Sequence, residues 1–155
     1  MPQPFFALVL ALTLGASPAA VPPAAEQLDE EGFRNLLDRL ARAWHEGDSA
    51  LAAGCFTEDA VYVEPPRKQL YVGRESLFRF FGGAAGRPGE MSMTWRNVVF
   101  DPRQQLGMGE FSFAYGSQVH GVAVIRVESG LIDQWREYWY ESELPWKEFV
   151  EPGVP

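Results

Sequence analysis

Residues 55–81 read CFTEDAVYVEPPRKQLYVGRESLFRFF, and this stretch decides what kind of fold the chain can adopt. Ala60 to Glu64 alternates like a short strand, and Pro65-Pro66 stops it, because proline cannot donate to a strand ladder. Gly73 precedes an amphipathic helix over Arg74 to Phe81, which Gly82-Gly83 closes. Strand, proline pair and helix in that order leave the Glu64 carboxylate at a strand end. At such a junction in a small curved α+β domain the carboxylate can point into a closed apolar cavity, where burial raises its pKa.

Upstream, Phe33, Leu36, Leu37, Leu40 and Trp44 recur at helical spacing between Leu28 and Glu46, with charges on the opposite face. Gly47 is placed to end that helix, and Asp48 to cap a short second one through Phe56. Downstream, four runs read as strands: Met91 to Phe100, Gln105 to Tyr115, Gln118 to Glu128 and Leu131 to Tyr140. Short turns at Asp101-Pro102-Arg103, Gly116-Ser117 and Ser129-Gly130 join them into an antiparallel meander. In the first run Met93, Trp95 and Asn97 alternate against Thr94, Arg96 and Val98. Gly107, Gly109 and Gly121 inside strands point to bulges or sharp curvature. The expectation is an α+β fold of three N-terminal helices packed in a curved antiparallel sheet.

The order of these pieces carries a family resemblance. A helix ending in Gly47-Asp48, then FTEDAVYVEP, then VGRESLFRFF, then a meander ending in SGLIDQWREYW resembles the NTF2-like (cystatin-like) superfamily, in its SnoaL-like and ketosteroid-isomerase-like branch. The likeness runs from about Leu28 to Tyr140 and implies a cone-shaped domain with an internal pocket. In the isomerase branch a carboxylate just before the proline of this strand is the general base, and Glu64 matches it. The branch's tyrosine oxyanion donor falls at Leu40, counting back from Gly47-Asp48. Its protonated aspartate falls at Val122, counting back from Gly130. Both donors are absent, which argues against steroid isomerisation by that route. The Asp-Arg-Asp arrangement of the superfamily's epoxide hydrolases is not evident around Arg126 either, where the neighbours are Val124 and Glu128.

Composition narrows the partners. At 155 residues the chain has room for one domain. Aromatic residues make up 14%, enough to fill a core and also wall a pocket for a small apolar molecule. A net charge of −8 with no basic block disfavours nucleic acid and anionic membrane surfaces. Phe5 to Ala16 is an apolar run of signal-peptide length, with Ser17-Pro18-Ala19 offering a cleavage site. Residues 1–19 are therefore expected to be a signal peptide and 20–27 a linker. Residues 28–140 would form the domain and 141–155 a tail. The protein is then secreted or periplasmic, with no stable membrane insertion after cleavage. Cys55, the single cysteine, is expected to be a buried small hydrophobe. No paired-Cys or H-x-x-x-H spacing calls for a metal, and no phosphate-binding glycine loop or G-x-S-x-G elbow calls for a cofactor or a serine nucleophile.

The resemblance also assigns faces. Tyr62 shares the inward face of Glu64. If the Val122 position faces the cavity, His120 and Val124 do too, and on the last strand Trp135, Glu137 and Trp139 turn inward. Glu64 as base and His120 as proton donor form the candidate catalytic set. Tyr62, Trp95, Phe111, Phe113, Trp135, Glu137 and Trp139 form the candidate ligand wall. Plainer readings stand beside these: His120 as a hydrogen-bonded core residue, Glu64 as a turn or cap residue, Glu137 as an ion-pair partner of Arg126, and the aromatics as core. Arg87 is placed at the pocket rim, after the flexible Gly82–Gly86 loop. The outer face, with Arg96, Arg126, Gln134, Arg136 and Tyr138, is expected to form a homodimer. The apolar tail residues Leu144, Trp146 and Phe149 are expected to cover the pocket mouth or the partner subunit. Two functions remain open: an exported pocket for a small apolar ligand, or a cofactor-free acid–base enzyme (isomerase, dehydratase or hydrolase) using Glu64.

Overall fold

The computed structural model describes residues 27–65, 69–151 and 153; the expected signal peptide and nearly all of the linker lie outside them. Helix α1 (Glu30–Glu46) starts where the Asp29 side chain accepts the Gly32 N–H and stops at Gly47, in left-handed conformation. It buries the apolar stripe read from the sequence, Phe33, Leu36, Leu37, Leu40 and Trp44, together with Ala43. Asp48 caps α2 (Ser49–Ala53) through the Leu51 N–H. Strand β1 (Phe56–Glu64) is followed by β2 (Gln69–Val72), α3 (Arg74–Phe80) and one 3₁₀ turn (Gly83–Ala85). The meander follows as β3 (Ser92–Asp101), β4 (Leu106–Tyr115), β5 (Ser117–Glu128) and β6 (Leu131–Glu141), and a short α4 (Trp146–Val150) ends the described chain.

The six strands form one sheet in the order β2-β1-β6-β5-β4-β3. The meander is antiparallel as expected, yet the sheet is mixed, because β1 runs parallel to β6. Each strand's hydropathy specifies its face and leaves the direction of its neighbour open. β2 forms a hairpin with β1, pairing Val61 with Val72 and Glu64 with Gln69; at four residues it is too short to alternate legibly.

Bulges set the curvature, and they are not at the interior glycines. One lies in β3 between Trp95 and Val98, and another opposite the Arg126–Val127 step leaves Asp133 as the extra residue of β6. The β3 bulge turns Val98 inward and leaves Asn97 exposed, the reverse of simple alternation. The β4–β5 register is unbroken through all three glycines. They provide space instead: a Cβ on Gly121 would sit 2.5 Å from the Tyr138 carbonyl oxygen and 2.8 Å from the Phe111 ring.

The aromatic core gathers on the concave face around Trp135, which is 1% exposed. The Tyr62 ring lies parallel to it at 5.6 Å, and Trp44, Phe56 and Trp95 approach at 6.0, 6.3 and 5.8 Å. Cys55 is fully buried in this core, as its sequence context implies. Gly121→Ala is expected to cost about 1–3 kcal/mol, because the obstructing atom is backbone that cannot rotate away. A lowered urea midpoint with unchanged m-value checks this.

Candidate functional site

The parallel register of β1 against β6 builds the site. It sets Tyr62 opposite Trp135 and Val63 opposite Arg136, so the next step carries Glu64 alongside Glu137 on the inward face. Adjacent strands lie about 4.8 Å apart, so the two carboxyl groups share one corner. Both are buried, at 7% and 8% exposure. They open onto a cavity of about 210 Å³. Its apolar wall is aromatic: Trp44 from α1, Phe80 and Phe81 from the end of α3, Phe111 and Phe113 from β4, and Trp139 from β6. Tyr62, Gln69, Arg87, Tyr115 and Ser117 complete its polar rim.

Electrostatics divides the two acids. Burial, and then the charge of Glu64, push the Glu137 carboxyl up from 4.5 to about 8. Two donors partly oppose this. Trp135 Nε1 donates to Glu137 Oε2 at 2.9 Å, and the Tyr62 hydroxyl donates to the same carboxyl. Tyr62 is held well above its ordinary pKa, first by burial and then by the charges of Glu137 and Glu64. Glu137 thus keeps its proton at neutral pH, a carboxylic acid beside Glu64 that is fixed from behind by an indole and a phenol.

Of the candidate residues, the structure brings Tyr62, Glu64, Phe111, Phe113, Glu137 and Trp139 to the cavity. Trp135 stands behind it, orienting Glu137. Trp95 does not reach it; its indole donates to the Leu37 carbonyl at 3.2 Å and packs under α1. His120 is on the other side of the sheet, so a Glu64–His120 catalytic pair is not formed. Ala123, Ile125 and Val127 face inward on β5, while Arg126 and Glu128, which share the parity of His120, are exposed. On a strand without a bulge Arg126 outside and His120 inside cannot both hold. The charges at 126 and 128 were the signal that places His120 correctly. It is buried all the same, because the tail covers it. Its Nε2 donates to the Leu144 carbonyl at 2.8 Å, Nδ1 lies 2.9 Å from Ser112 Oγ, and the rings of Trp146 and Phe149 pack on it. The tail therefore covers the outer sheet face and not the pocket mouth. Leu40 is fully buried in α1, and Val122 lies on the outer face opposite Tyr138, so neither expected donor position meets the cavity. Among the described residues no group of three or more His, Cys, Asp or Glu could hold a metal ion.

The model of the SnoaL-like domain family matches residues 37–135. The chain belongs to this family. It takes the NTF2-like fold, in the SnoaL-like and ketosteroid-isomerase-like branch, and solved structures show the same architecture. An NTF2-like protein of unknown function from Burkholderia xenovorans is 20% identical with a TM-score of 0.63, over 81% of this chain and 97% of that one. A cystatin-like protein of unknown function from Methylobium petroleophilum is 16% identical with a TM-score of 0.62, over 78% and 84%. The epoxide hydrolase/cyclase-like enzyme SalBIII, with a role in pyran ring formation in salinomycin, is 20% identical with a TM-score of 0.60, over 72% and 93%. No curated protein matches the chain in sequence.

The raised carboxyl of this SnoaL-like protein has a consequence for stability. A carboxyl whose folded pKa exceeds its unfolded one holds its proton more tightly when folded. Its contribution is complete below 4.5 and lost as pH rises to about 8. Glu137→Gln has no such proton to lose. Its melting temperature relative to wild type is expected to climb between 4.5 and about 8 and then level off. A difference constant across that range would mean that Glu137 titrates as an ordinary carboxylate.

Proposed function

We propose that this SnoaL-like protein binds a small, largely apolar molecule and moves a proton on it without a cofactor. Glu64 takes the proton as general base, and neutral Glu137 donates a hydrogen bond or a proton to the developing charge. The observation that carries this is the pair of buried acids, whose surroundings push one of them to about 8. Neighbouring acids with separated pKa values divide into a base and an acid in the same pH range. The aromatic wall supports an apolar ligand. A cavity of about 150 Å³ suffices for benzene, and this one is about 210 Å³, room for one ring with short substituents.

A second reading keeps the ligand and drops the chemistry. It is favoured by the burial of Leu40 in the core and the outward position of Val122, which remove the donors used by the isomerase branch. Proton exchange separates the two. In deuterated buffer the α-protons of phenylacetone, one ring and one ketone, are expected to exchange faster with protein than without. Glu64→Gln is expected to slow the protein-dependent rate by about 100-fold or more while phenylacetone still binds. Binding with no protein-dependent exchange leaves a passive carrier.

Export and self-association belong to the same proposal. The apolar run before Ala19 supports export, and exposed Val99, Met108 and Tyr138 on the outer sheet face support a homodimer. Protein recovered from the exported fraction is expected to begin at Ala20 and sediment as a dimer at micromolar concentration. A retained leader removes the first idea and a monomer the second.

A further inference from the structure

Among the described residues three charged side chains line the cavity: Glu64, Glu137 and Arg87. Arg87, expected at the rim, is the cation among them, set in the wall of an aromatic pocket in a chain of net charge −8. Its placement is built into the local sequence. The loop after α3 folds back tightly at Gly82, whose φ is 121° and where a Cβ would lie 2.5 Å from Gly86 and 2.6 Å from the Arg87 nitrogen. Only glycine permits that approach, and it returns Arg87 over the helix end it has just left. There its Nε donates to the Phe80 carbonyl at 2.9 Å, and Nη2 donates to the same oxygen. The guanidinium carbon lies 4.6 Å from the Phe80 ring centre and 5.7 Å from that of Tyr115. Tyr115 in turn donates its hydroxyl to the Pro88 carbonyl at 2.9 Å, fastening the loop from the β4 side.

Capping α3 occupies one edge of the fork. Among the described residues the other edge, at Nη1, has no hydrogen-bond partner, and no carboxylate forms a salt bridge with Arg87. An arginine so fixed loses little side-chain freedom on taking a ligand, and its free edge suits a carboxylate. The charge also acts inside the pocket: at Tyr62 and Tyr71, whose pKa values burial raises most, Arg87 is the opposing influence.

We propose that Arg87 is an anion subsite of the cavity, which makes the ligand a one-ring molecule bearing a carboxylate. The guanidinium holds that carboxylate, and the far end of the ligand lies at Glu64 and Glu137. This rests on the reading of the cavity as a binding site, but not on any proton transfer. The acid pair does not forbid an anion. Below about 8 Glu137 is mostly neutral and adds little negative charge to the cavity.

The test compares phenylacetate with phenylacetamide, equal in shape and different in charge, by titration calorimetry on the full mature chain. Wild type is expected to prefer phenylacetate by about tenfold or more, the scale of one charge-assisted contact. Arg87→Met is expected to abolish that preference, weakening phenylacetate by about tenfold more than phenylacetamide, while Arg87→Lys keeps part of it. A native melting transition in each variant shows that it folds. Equal affinities in wild type, or a preference that survives Arg87→Met, overturn the anion subsite and leave the pocket standing. If neither compound binds wild type at millimolar concentration, subsite and pocket reading fall together.

Discussion

The pairing of the first strand with the last, in parallel, is the constraint on which the structure depends. It brings Tyr62 flat against Trp135 and sets Glu64 next to Glu137. The sheet's edge hairpin and its meander meet only there. In an antiparallel junction the alternation of each strand would be satisfied equally well, but the acids would meet different partners. The site is thus a product of strand direction as much as of composition.

What that junction creates is an electrostatic asymmetry between two residues of the same type. Two carboxylates in one buried corner cannot both ionise cheaply, and the aromatic wall withholds the water that would screen them. Burial and the charge of Glu64 keep the proton on Glu137, while the Trp135 indole and the Tyr62 hydroxyl, which bond to the same carboxyl and partly oppose that shift, fix its orientation. Core packing and site chemistry are therefore one feature here. Trp135 is the centre of the aromatic cluster and also the group that aims the acid.

Much of this was legible in the sequence, and the failures have physical causes. The α1 stripe is unambiguous because its five apolar positions sit at helical spacing, and the four meander strands are marked by turns at both ends. Glu137 was legible because Trp135 and Trp139 flank it at period two. β2 was not, since four residues carry too little pattern. The inward turn of Val98 was hidden by a bulge, which sequence does not announce. Distance from Gly130 points His120 inward, whereas the charges at Arg126 and Glu128, which share its parity, point it outward, and the strand follows the charges. Being buried, His120 looked like a pocket residue; its burial comes from the tail on the opposite side. Arg87 was legible only as a rim residue, because its inward return depends on the backbone approach at Gly82.

The position of β6 in the middle of the sheet has a further bearing on how the molecule assembles. Phe56 and Ile132 pair across most of the domain, so β1 and β2 can form their hairpin early but have no inner neighbour until the last strand arrives. Contacts so distant along the chain form late and slowly, after their loop-closure entropy has been met. The corner holding Glu64 and Glu137 is accordingly among the last parts to exist, and no nascent fragment ending before β6 can display it. Competence and completion coincide: the chain acquires its acid pair only when the whole sheet has closed.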